Sequence, residues 1–372
     1  RHGSPSPALQ RTTPMSIALW SHHRRFLCLV SIDLMSGVRL AVTMMISRTP
    51  LRVSFCGGGS DLASYYRNSA EGGCVTSMSL AAYVHVTVNK RFGDDIRLSY
   101  SRTEIVDDFE DLEHELVREA MRMTGVTSGV EITTIADIPS RGTGLGSSSA
   151  VTVGLLNALH RFKGNDVSPE ELASQACQIE IDILGKPIGK QDQYGCAMGG
   201  INHIRFLPND EVVIEPLYLA DEIYERIENE FALIYTGLTR SANETLKEQN
   251  SKNEVNSEIL DLMCQQARNA RDLLKSGDLS ALGALLNETW QMKKKLASGI
   301  SIPEIDELYQ VLLDCGASGG KLLGAGGGGF ILFHANSEAH QRIAQALPDH
   351  RILALKLEGR PSRMIFDSKD LV

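Results

Sequence analysis

The chain has 372 residues, of which 42% are hydrophobic and 22% charged, so it can bury a sizeable core in two domains or in one domain with two lobes. Its net charge of -9 and pI near 5.6 exclude a general affinity for nucleic acid or an anionic membrane surface, because both require dense Lys/Arg faces. The seven cysteines form no CxxC pair and the ten histidines fall at no zinc-ligand spacing, so the cytoplasm is the natural compartment.

Residues 1–43 differ in character from the rest of the chain. A charged HHRR stretch precedes the apolar stretch FLCLVSIDLM, in the order typical of a secretory signal, but the apolar run is short and Asp33 interrupts it. We interpret this segment as an extension or an upstream translated leader of unknown role, with Met44 or Met45 as a natural start. We expect no membrane span.

From Ser47 onward, the first half of the chain predicts a β-rich lobe. Apolar or alternating runs bounded by turn residues predict strands at 51–55, 83–89, 96–100 and 130–135. A helix is predicted over 104–123, because apolar residues from Ile105 to Ala120 recur at spacings of three or four.

Beyond Pro208, strands and helices alternate along the chain, which predicts a second α+β lobe. Strands are expected at 231–236, 330–334 and 352–357, and helices at 258–275, 279–297, 304–314 and 338–346.

The stretch PSRGTGLGSSSAVTVGLLNALHRF (139–162) places three glycines and three serines just before an apolar helix. The first turn of a helix leaves N–H groups unpaired and carries partial positive charge, so it attracts an anion. Gly142, Gly144 and Gly146 allow positive φ and close approach of a ligand. The loop therefore predicts a phosphate cradle, although it lacks the Lys-Ser/Thr pair of a Walker loop. A serine-capped surface loop is the alternative.

A second glycine run, GAGGGG (324–329), contains the spacing GxGxxG. A dinucleotide fingerprint should follow a strand and open a helix, whereas this run precedes the strand-like sequence FILFH. It is either a flexible turn or a backbone wall that lies against a ligand or against the first loop, where any Cβ would intrude.

Two carboxylates are candidates for chemistry. The segment 169–184 predicts a helix that Ser168 caps and Gly185 ends, and Glu180 lies on its apolar face. A charge there either pairs with a basic residue or a backbone group, or helps to bind a cation. Asp192 follows in a glycine-rich connection and could reach the same cleft. Together with the serines, these residues suggest nucleotide phosphates, a magnesium ion and a base.

Three motifs in this order resemble those of the GHMP family of small-molecule kinases, and the chain is identified as a member: TPLRVSFCGGGSDL (49–62), PSRGTGLGSSSA (139–150) and KLLGAGGGGF (321–330). The resemblance implies a two-lobed α+β fold. Its N-terminal domain (44–207) would be ribosomal-protein-S5-like and its C-terminal domain (208–372) ferredoxin-like, with the active cleft between them.

The family resemblance also implies roles for individual residues. Asp192 would be the base that faces a sugar hydroxyl, and Arg52 would orient Asp192 or stabilise the transferring charge. Mg²⁺ would be held by Ser148 and Glu180. The residues implied to bind ATP are Arg141, Gly142, Thr143, Gly144, Leu145, Gly146, Ser147, Ser148 and Ser149. Those implied to bind the substrate are Gly58, Gly59, Ser60, Asp61 and Arg240, with Gly324, Gly326 and Gly327 as support from the third motif.

Within the family, RTPLRVSFCGGGSDL and GKQDQYG are most similar to the motifs of D-glycero-D-manno-heptose 7-phosphate kinases. This likeness implies that a sugar phosphate is phosphorylated by ATP at its anomeric oxygen. Fucokinases and other hexose 1-kinases are the nearest rivals. A non-catalytic sugar and ATP sensor of the same fold is an alternative of another class, although the catalytic carboxylate and the phosphate loop are both present. A homodimer is compatible with the sequence.

Overall fold

The computed structural model describes residues 43–139, 142–238, 242–252 and 256–371. In these ranges the strands are β1 (Met44–Cys56), β2 (Gly73–Lys90), β3 (Ile96–Ser99), β4 (Thr103–Val106), β5 (Val130–Ala136), β6 (Ile201–Phe206), β7 (Val212–Pro216), β8 (Phe231–Tyr235), β9 (Gly319–Leu322), β10 (Phe330–His334), β11 (Ile352–Ala354) and β12 (Arg363–Asp367). The helices are α1 (Ala63–Tyr66), α2 (Glu115–Thr124), α3 (Ser147–Lys163), α4 (Pro169–Cys177), α5 (Gln191–Met198), α6 (Asp221–Glu230), α7 (Ala242–Ser251), α8 (Ser257–Ser276), α9 (Leu279–Lys293), α10 (Pro303–Asp314) and α11 (Ser337–Ala346).

An eight-stranded sheet forms the first lobe. Six of its strands run in the order β12-β1-β2-β5-β3-β4, while β6 pairs with β2, and β7 pairs with β6. Helices α3, α5 and α8 all pack against β1, which explains why Leu51–Cys56 is buried throughout instead of alternating. Strands β7 and β12 follow residue 208 in the chain but belong to this sheet. The domain boundary proposed between residues 207 and 208 stays a prediction.

The second lobe is built on a four-stranded antiparallel sheet in the order β11-β8-β10-β9. Helix α9 packs against β9 and β10, and α8 packs on α9 and on β2, so these two helices connect the lobes. No helix in the described ranges is both long and apolar enough to cross a membrane. The predicted strands and helices of this half are confirmed, although 352–357 is a strand only over Ile352–Ala354 and α9 ends at Lys293.

The helix predicted over 104–123 is wrong in its first half. Residues Thr103–Val106 form strand β4 against β3, a 3₁₀ turn covers Phe109–Asp111, and the helix begins only at Glu115. Ile105 matches the helical spacing by chance and is 65% exposed at the edge of the sheet. Strand pairing satisfies the backbone here, which a periodicity count cannot detect.

The helix predicted over 169–184 is interrupted. Ser168 caps α4 as expected, but Gln178–Ile183 continues it as a π-helix, which is rare and occurs mostly at functional sites. The wider turn leaves Glu180 fully buried and turns Ile183 outward, so Ile183 does not share the buried face. Glu180 is therefore buried, as its place on the apolar face of the predicted helix indicates, whereas a regular helix would also have buried Ile183.

The second glycine run lies directly against the first glycine loop. A Cβ on Gly324 would come within 2.5 Å of the Gly144 Cα, and a Cβ on Gly144 within 2.6 Å of the Leu323 carbonyl oxygen. The Phe330 N–H also donates to the Thr143 carbonyl at 3.2 Å. The backbone wall against the first loop is therefore confirmed, because two backbone segments of the chain approach here more closely than a Cβ atom would allow.

We expect Gly324→Ala to lower the free energy of unfolding more than Gly125→Ala does. Both glycines have similar positive φ values, 70° and 66°, so each alanine incurs the left-handed penalty of about 1 kcal/mol. A Cβ on Gly125 meets nothing within 4 Å, whereas one on Gly324 meets backbone and adds about 1–3 kcal/mol. Urea unfolding measures both, and equal losses would contradict the close contact.

Candidate active site

The first glycine loop ends at the amino end of α3, where Gly146 adopts a φ of 75°. The residues of this loop that line a cavity of about 800 Å³ are Gly142, Thr143, Gly144, Gly146, Ser147, Ser148 and Ser149. The helix dipole favours an anion in the cavity at this point. The Leu145 side chain is instead buried in the core, while its carbonyl accepts from the Arg52 N–H at 3.0 Å. Arg141 lies outside the described residues.

Glu180 lies beside the serines of this loop. Its two carboxylate oxygens accept hydrogen bonds from Ser148 Oγ at 2.8 Å, Ser149 Oγ at 2.7 Å and Gln193 Nε2 at 2.7 Å. Lys186 Nζ is 3.5 Å from Oε1. The glutamate is 0% exposed, so these donors stabilise a charge that burial alone would disfavour. This geometry is compatible with both predicted roles of Glu180. The glutamate has a basic partner in Lys186, and it is hydrogen-bonded to the Ser148 hydroxyl, which is suited to bind a cation.

Arg52 joins the predicted catalytic carboxylate to the phosphate loop. Its Nε and Nη2 both donate to Asp192 Oδ1, at 2.9 and 2.5 Å, while Nη1 donates to the Gly144 carbonyl at 2.6 Å. Arg52 is only 2% exposed. Burial acts to lower the pKa of Arg52, but the Asp192 carboxylate outweighs it and the pKa lies above its ordinary value. No described residue donates to Asp192 Oδ2, which leaves this oxygen available to a ligand.

A smaller pocket of about 80 Å³ adjoins the cavity, and Asp61 lies in its wall. Asp61 accepts from the Gly59 N–H at 2.9 Å and from the Gln191 N–H and side-chain amide at 3.1 and 3.0 Å. Burial raises the pKa of Asp61 in spite of these donors. Gly58 and Gly59 also line the pocket, as expected, and helix α7 narrows it with Leu246 and Gln249.

Two of the expected substrate contacts gain no support from this pocket. Ser60 is fully buried and does not line the pocket. The single proton of its hydroxyl is shared between the carbonyls of Gly57 and Cys74, and the same oxygen accepts from the Cys74 N–H, so Ser60 holds the turn together. The other contact, Arg240, lies outside the part of the chain that the structure describes.

Sequence reasoning missed two buried lysines in the small pocket. Lys293 Nζ donates to the carbonyls of Leu322 and Gly324 at 3.0 and 2.5 Å, which fastens the second glycine run to α9. Lys321 Nζ donates to the carbonyls of Ser54 and Phe55 at 2.8 and 3.1 Å. Burial lowers the pKa of both lysines. Lys321 opens a quoted motif and could have been noticed, but Lys293 lies in a lysine run that resembles a solvated surface.

Sequence reasoning also missed the residues that line the far end of the large cavity. It is lined by Tyr100 and Arg102 from the β3–β4 turn and by Glu113 and His114 before α2. The Tyr100 and His114 rings pack edge to face at 4.7 Å. The sequence predicts Glu113 and His114 within a helix over 104–123 and Tyr100 in the strand before it, and gives no sign that these two segments meet. An aromatic ring and a guanidinium in the wall of the same cavity suit a nucleotide base.

The third motif contributes to the cavity in part. Gly324 and Gly326 line it, as expected for a supporting wall. Gly327 does not line it, and its N–H donates to the Ile300 carbonyl at 3.0 Å, which anchors the loop from behind.

The chain matches two family models in sequence order, the GHMP kinases N terminal domain over residues 111–200 and the GHMP kinases C terminal model over residues 270–352. A D-glycero-alpha-D-manno-heptose 7-phosphate kinase from Campylobacter jejuni is 29% identical over 318 residues, which cover 81% of this chain and 92% of that protein. An L-fucokinase/L-fucose-1-P guanylyltransferase from Bacteroides fragilis is 28% identical over 346 residues, which cover 82% of this chain and 36% of that protein.

Among solved structures, a D-glycero-D-manno-heptose 1-phosphate kinase from Bacteroides thetaiotaomicron is 25% identical. It superposes with a TM-score of 0.72 and covers 87% of this chain and 99% of that one. The chain therefore belongs to the GHMP kinase family, whose members are ATP-dependent kinases, and the predicted two-lobed α+β fold is confirmed.

The buried position of Lys321 predicts a pH dependence of stability. Burial lowers the pKa of Lys321 from 10.5 to about 8, so between these pH values the unfolded chain holds a proton that the native protein has lost. Stability linked to Lys321 therefore rises as the pH increases from about 8 to 10.5, and the full cost of burying the charge is present below pH 8.

We expect the unfolding free energy of the wild type minus that of Lys321→Met to rise by about 2–3 kcal/mol between pH 7 and pH 10, at about 1.4 kcal/mol per pKa unit. Urea unfolding at several pH values measures this difference. The exposed Lys90→Met variant is the control and should track the wild type. A difference for Lys321→Met that stays flat across this range would refute the assignment.

Proposed function

We propose that this protein transfers the γ-phosphate of ATP to the anomeric hydroxyl of D-glycero-D-manno-heptose 7-phosphate, giving the 1,7-bisphosphate. The observation that carries the proposal is the position of Asp192. This carboxylate and Arg52 line both the large cavity beside the glycine loop and the small pocket beside Asp61. A phosphoryl donor in the first and an acceptor in the second would therefore meet at Asp192.

Asp192 is suited to act as the base. Arg52 occupies Oδ1 with two hydrogen bonds, which fixes the plane of the carboxylate, while Oδ2 receives none from the described residues. An acceptor hydroxyl can therefore donate to Oδ2 and pass its proton there as the oxygen attacks. Arg52 also carries positive charge close to the loop, where charge on the transferring phosphoryl group must be stabilised.

Glu180 and Ser148 are suited to hold Mg²⁺. Their oxygens lie 2.8 Å apart at the amino end of α3, and the described residues contain no larger cluster of acidic, histidine or cysteine side chains for a metal. Two protein oxygens fit the way Mg²⁺ is held when nucleotide phosphates and waters complete its shell. When bound, the ion would neutralise phosphate charge. Gln193 and Lys186 keep Glu180 in place, and the loop glycines admit the phosphates.

The hydrogen-bond donors of the small pocket support a phosphorylated acceptor. Three basic side chains, Arg52, Lys293 and Lys321, line this pocket together with two carboxylates, Asp61 and Asp192. The turn formed by Gly57, Gly58 and Gly59 lacks side chains that would fill it. The names of the two heptose relatives place the phosphate differently, so the choice of a 7-phosphate rests on the relative from Campylobacter jejuni.

A hexose 1-kinase is the second candidate, because the L-fucokinase relative covers 82% of this chain. ADP release with ATP and Mg²⁺ across a panel of sugars separates the candidates. We expect kcat/KM for the heptose 7-phosphate to exceed that for L-fucose or the unphosphorylated heptose at least about tenfold, since a hydrogen bond to a charged group contributes about 1.5–3 kcal/mol. A preference for L-fucose would reverse the assignment, and no ADP release with any sugar would favour a sensor.

Replacing the base tests the mechanism directly. We expect Asp192→Asn to leave nucleotide binding nearly unchanged and to lower turnover at least about a hundredfold, the lower end of what a positioned base contributes. The amide oxygen can still accept from Arg52, so the fold should persist. Asp182→Asn, an exposed aspartate ten residues earlier, is the matched control. Calorimetry and single-turnover kinetics give the two readouts, and near-normal turnover of Asp192→Asn would remove Asp192 from this role.

A further inference from the structure

A second cavity, of about 840 Å³, lies where β6 and β7 meet α8. It shares no lining residue with the small pocket or with the large cavity beside the glycine loop, which is called the nucleotide cavity below because ATP is proposed to bind there. Its acidic, basic and histidine lining residues are Glu71, His203, Arg205, Glu215, Arg268 and Arg271. The proposed kinase reaction uses none of them.

Strand register explains how this cluster forms. His203 and Arg205 are two residues apart on β6, so their side chains leave the same face of the sheet. On β7, Glu215 lies opposite His203. Helix α8 packs near this face and brings Arg268 and Arg271 to the same cavity. The cluster therefore draws on residues more than 60 positions apart.

The hydrogen bonds of His203 determine what its free nitrogen can accept. Thr76 Oγ1 has one proton, and it donates this proton to the Ala267 carbonyl at 2.7 Å. The same oxygen lies 2.8 Å from His203 Nδ1 and must therefore accept from Nδ1–H. Burial first, and then Arg271, lower the pKa of His203 to about 4, so the ring is neutral at pH 7. Its Nε2 is consequently a lone-pair acceptor that requires a donor.

That acceptor has no donor within the described part of the chain. His203 is 1% exposed, and its Nε2 is buried without a hydrogen-bond partner. Leaving a buried acceptor unsatisfied costs about 1–3 kcal/mol, so such groups usually meet a ligand or a water. An anion alone cannot satisfy Nε2, because it offers another lone pair.

The charged side chains around the cavity favour an anionic group beside the hydrogen-bond donor that His203 Nε2 requires. Arg268 Nη2 pairs with Glu71 at 2.6 Å, and Arg271 Nη1 is 3.5 Å from Glu215. Arg271 also pairs with Asp272, and Lys275 with Glu215. Arg205 is exposed, and its guanidinium has no hydrogen-bond or ion-pair partner among the described residues. Three arginines thus face two carboxylates across the cavity, and one guanidinium remains free.

We propose that this cavity is a binding site for a small phosphorylated molecule, whose phosphoryl group is held by Arg205 with Arg268 and Arg271, and whose hydroxyl group donates to His203 Nε2. Guanidinium forks match phosphate geometry well. The volume lies within the range of small-molecule sites. Inorganic phosphate and a sugar phosphate both supply this chemistry, because each carries anionic oxygens and a hydroxyl donor near neutral pH, whereas sulfate has no donor.

The test is calorimetric titration of the full chain at neutral pH, with the nucleotide cavity filled by a non-hydrolysable ATP analogue and Mg²⁺. The probes are inorganic phosphate, glucose 6-phosphate and sulfate. We expect the wild type to bind at least one phosphate probe about tenfold more tightly than sulfate. Tighter binding of glucose 6-phosphate would identify a phosphorylated sugar as the ligand type, and tighter binding of inorganic phosphate would identify free phosphate. Equal affinity for sulfate and both phosphate probes would overturn the role of His203.

Two variants locate the binding. Arg205→Ala should weaken the better phosphate probe at least about tenfold, since it removes a charge-assisted hydrogen bond. Arg351→Ala is the matched control, an exposed arginine whose guanidinium likewise has no partner among the described residues and which lies outside this cavity. His203→Leu should reduce the preference for phosphate over sulfate to about one.

If His203→Leu fails to fold, the Arg205→Ala result decides alone, because an exposed residue is changed there. Unchanged phosphate affinity in Arg205→Ala would overturn the site. This outcome is independent of the kinase assay, which reports on Asp192 and the nucleotide cavity.

Discussion

The active cleft depends on one buried guanidinium. Arg52 donates twice to Asp192 and once to the Gly144 carbonyl, so a single side chain sets the distance between the carboxylate and the phosphate loop. Its planar fork supplies these donors in fixed directions, which a lysine could not do. Replacing Asp192 by a side chain without an oxygen would leave the buried guanidinium of Arg52 without its acceptor. The geometry of the cleft therefore depends on the position in which β1 holds Arg52.

The glycines at this site serve the same geometry through backbone contact. Gly146 must lack a side chain because a Cβ there would meet Cys196 Sγ at 3.0 Å and Arg52 Cγ at 3.2 Å, and Gly195 faces Arg52 at a similar distance. The second glycine run closes the loop from the other lobe. The loop is therefore enclosed by Arg52 and by backbone, and the amino end of α3 is left open to the cavity.

Prediction from sequence succeeded where function depends on local chemistry. Gly142, Gly144 and Gly146 all adopt positive φ, and the serines open α3 as expected. It failed where the backbone had two ways to satisfy its hydrogen bonds, as around Ile105. It also assigned Ser60 to the substrate, because a serine beside an aspartate in a glycine turn gives no sign that the Cys74 backbone will occupy its hydroxyl.

The sequence by itself determined the glycine loop that leads into α3, the kinase family and the two candidate carboxylates, because each is encoded by neighbouring residues with strong local preferences. The tertiary structure alone decided that a π-helix buries Glu180, that Lys293 reaches the small pocket and that His203 keeps an unsatisfied nitrogen. These features arise from contacts between segments far apart in the chain. Such contacts depend on how strands pair and helices pack, and no short stretch of sequence records them.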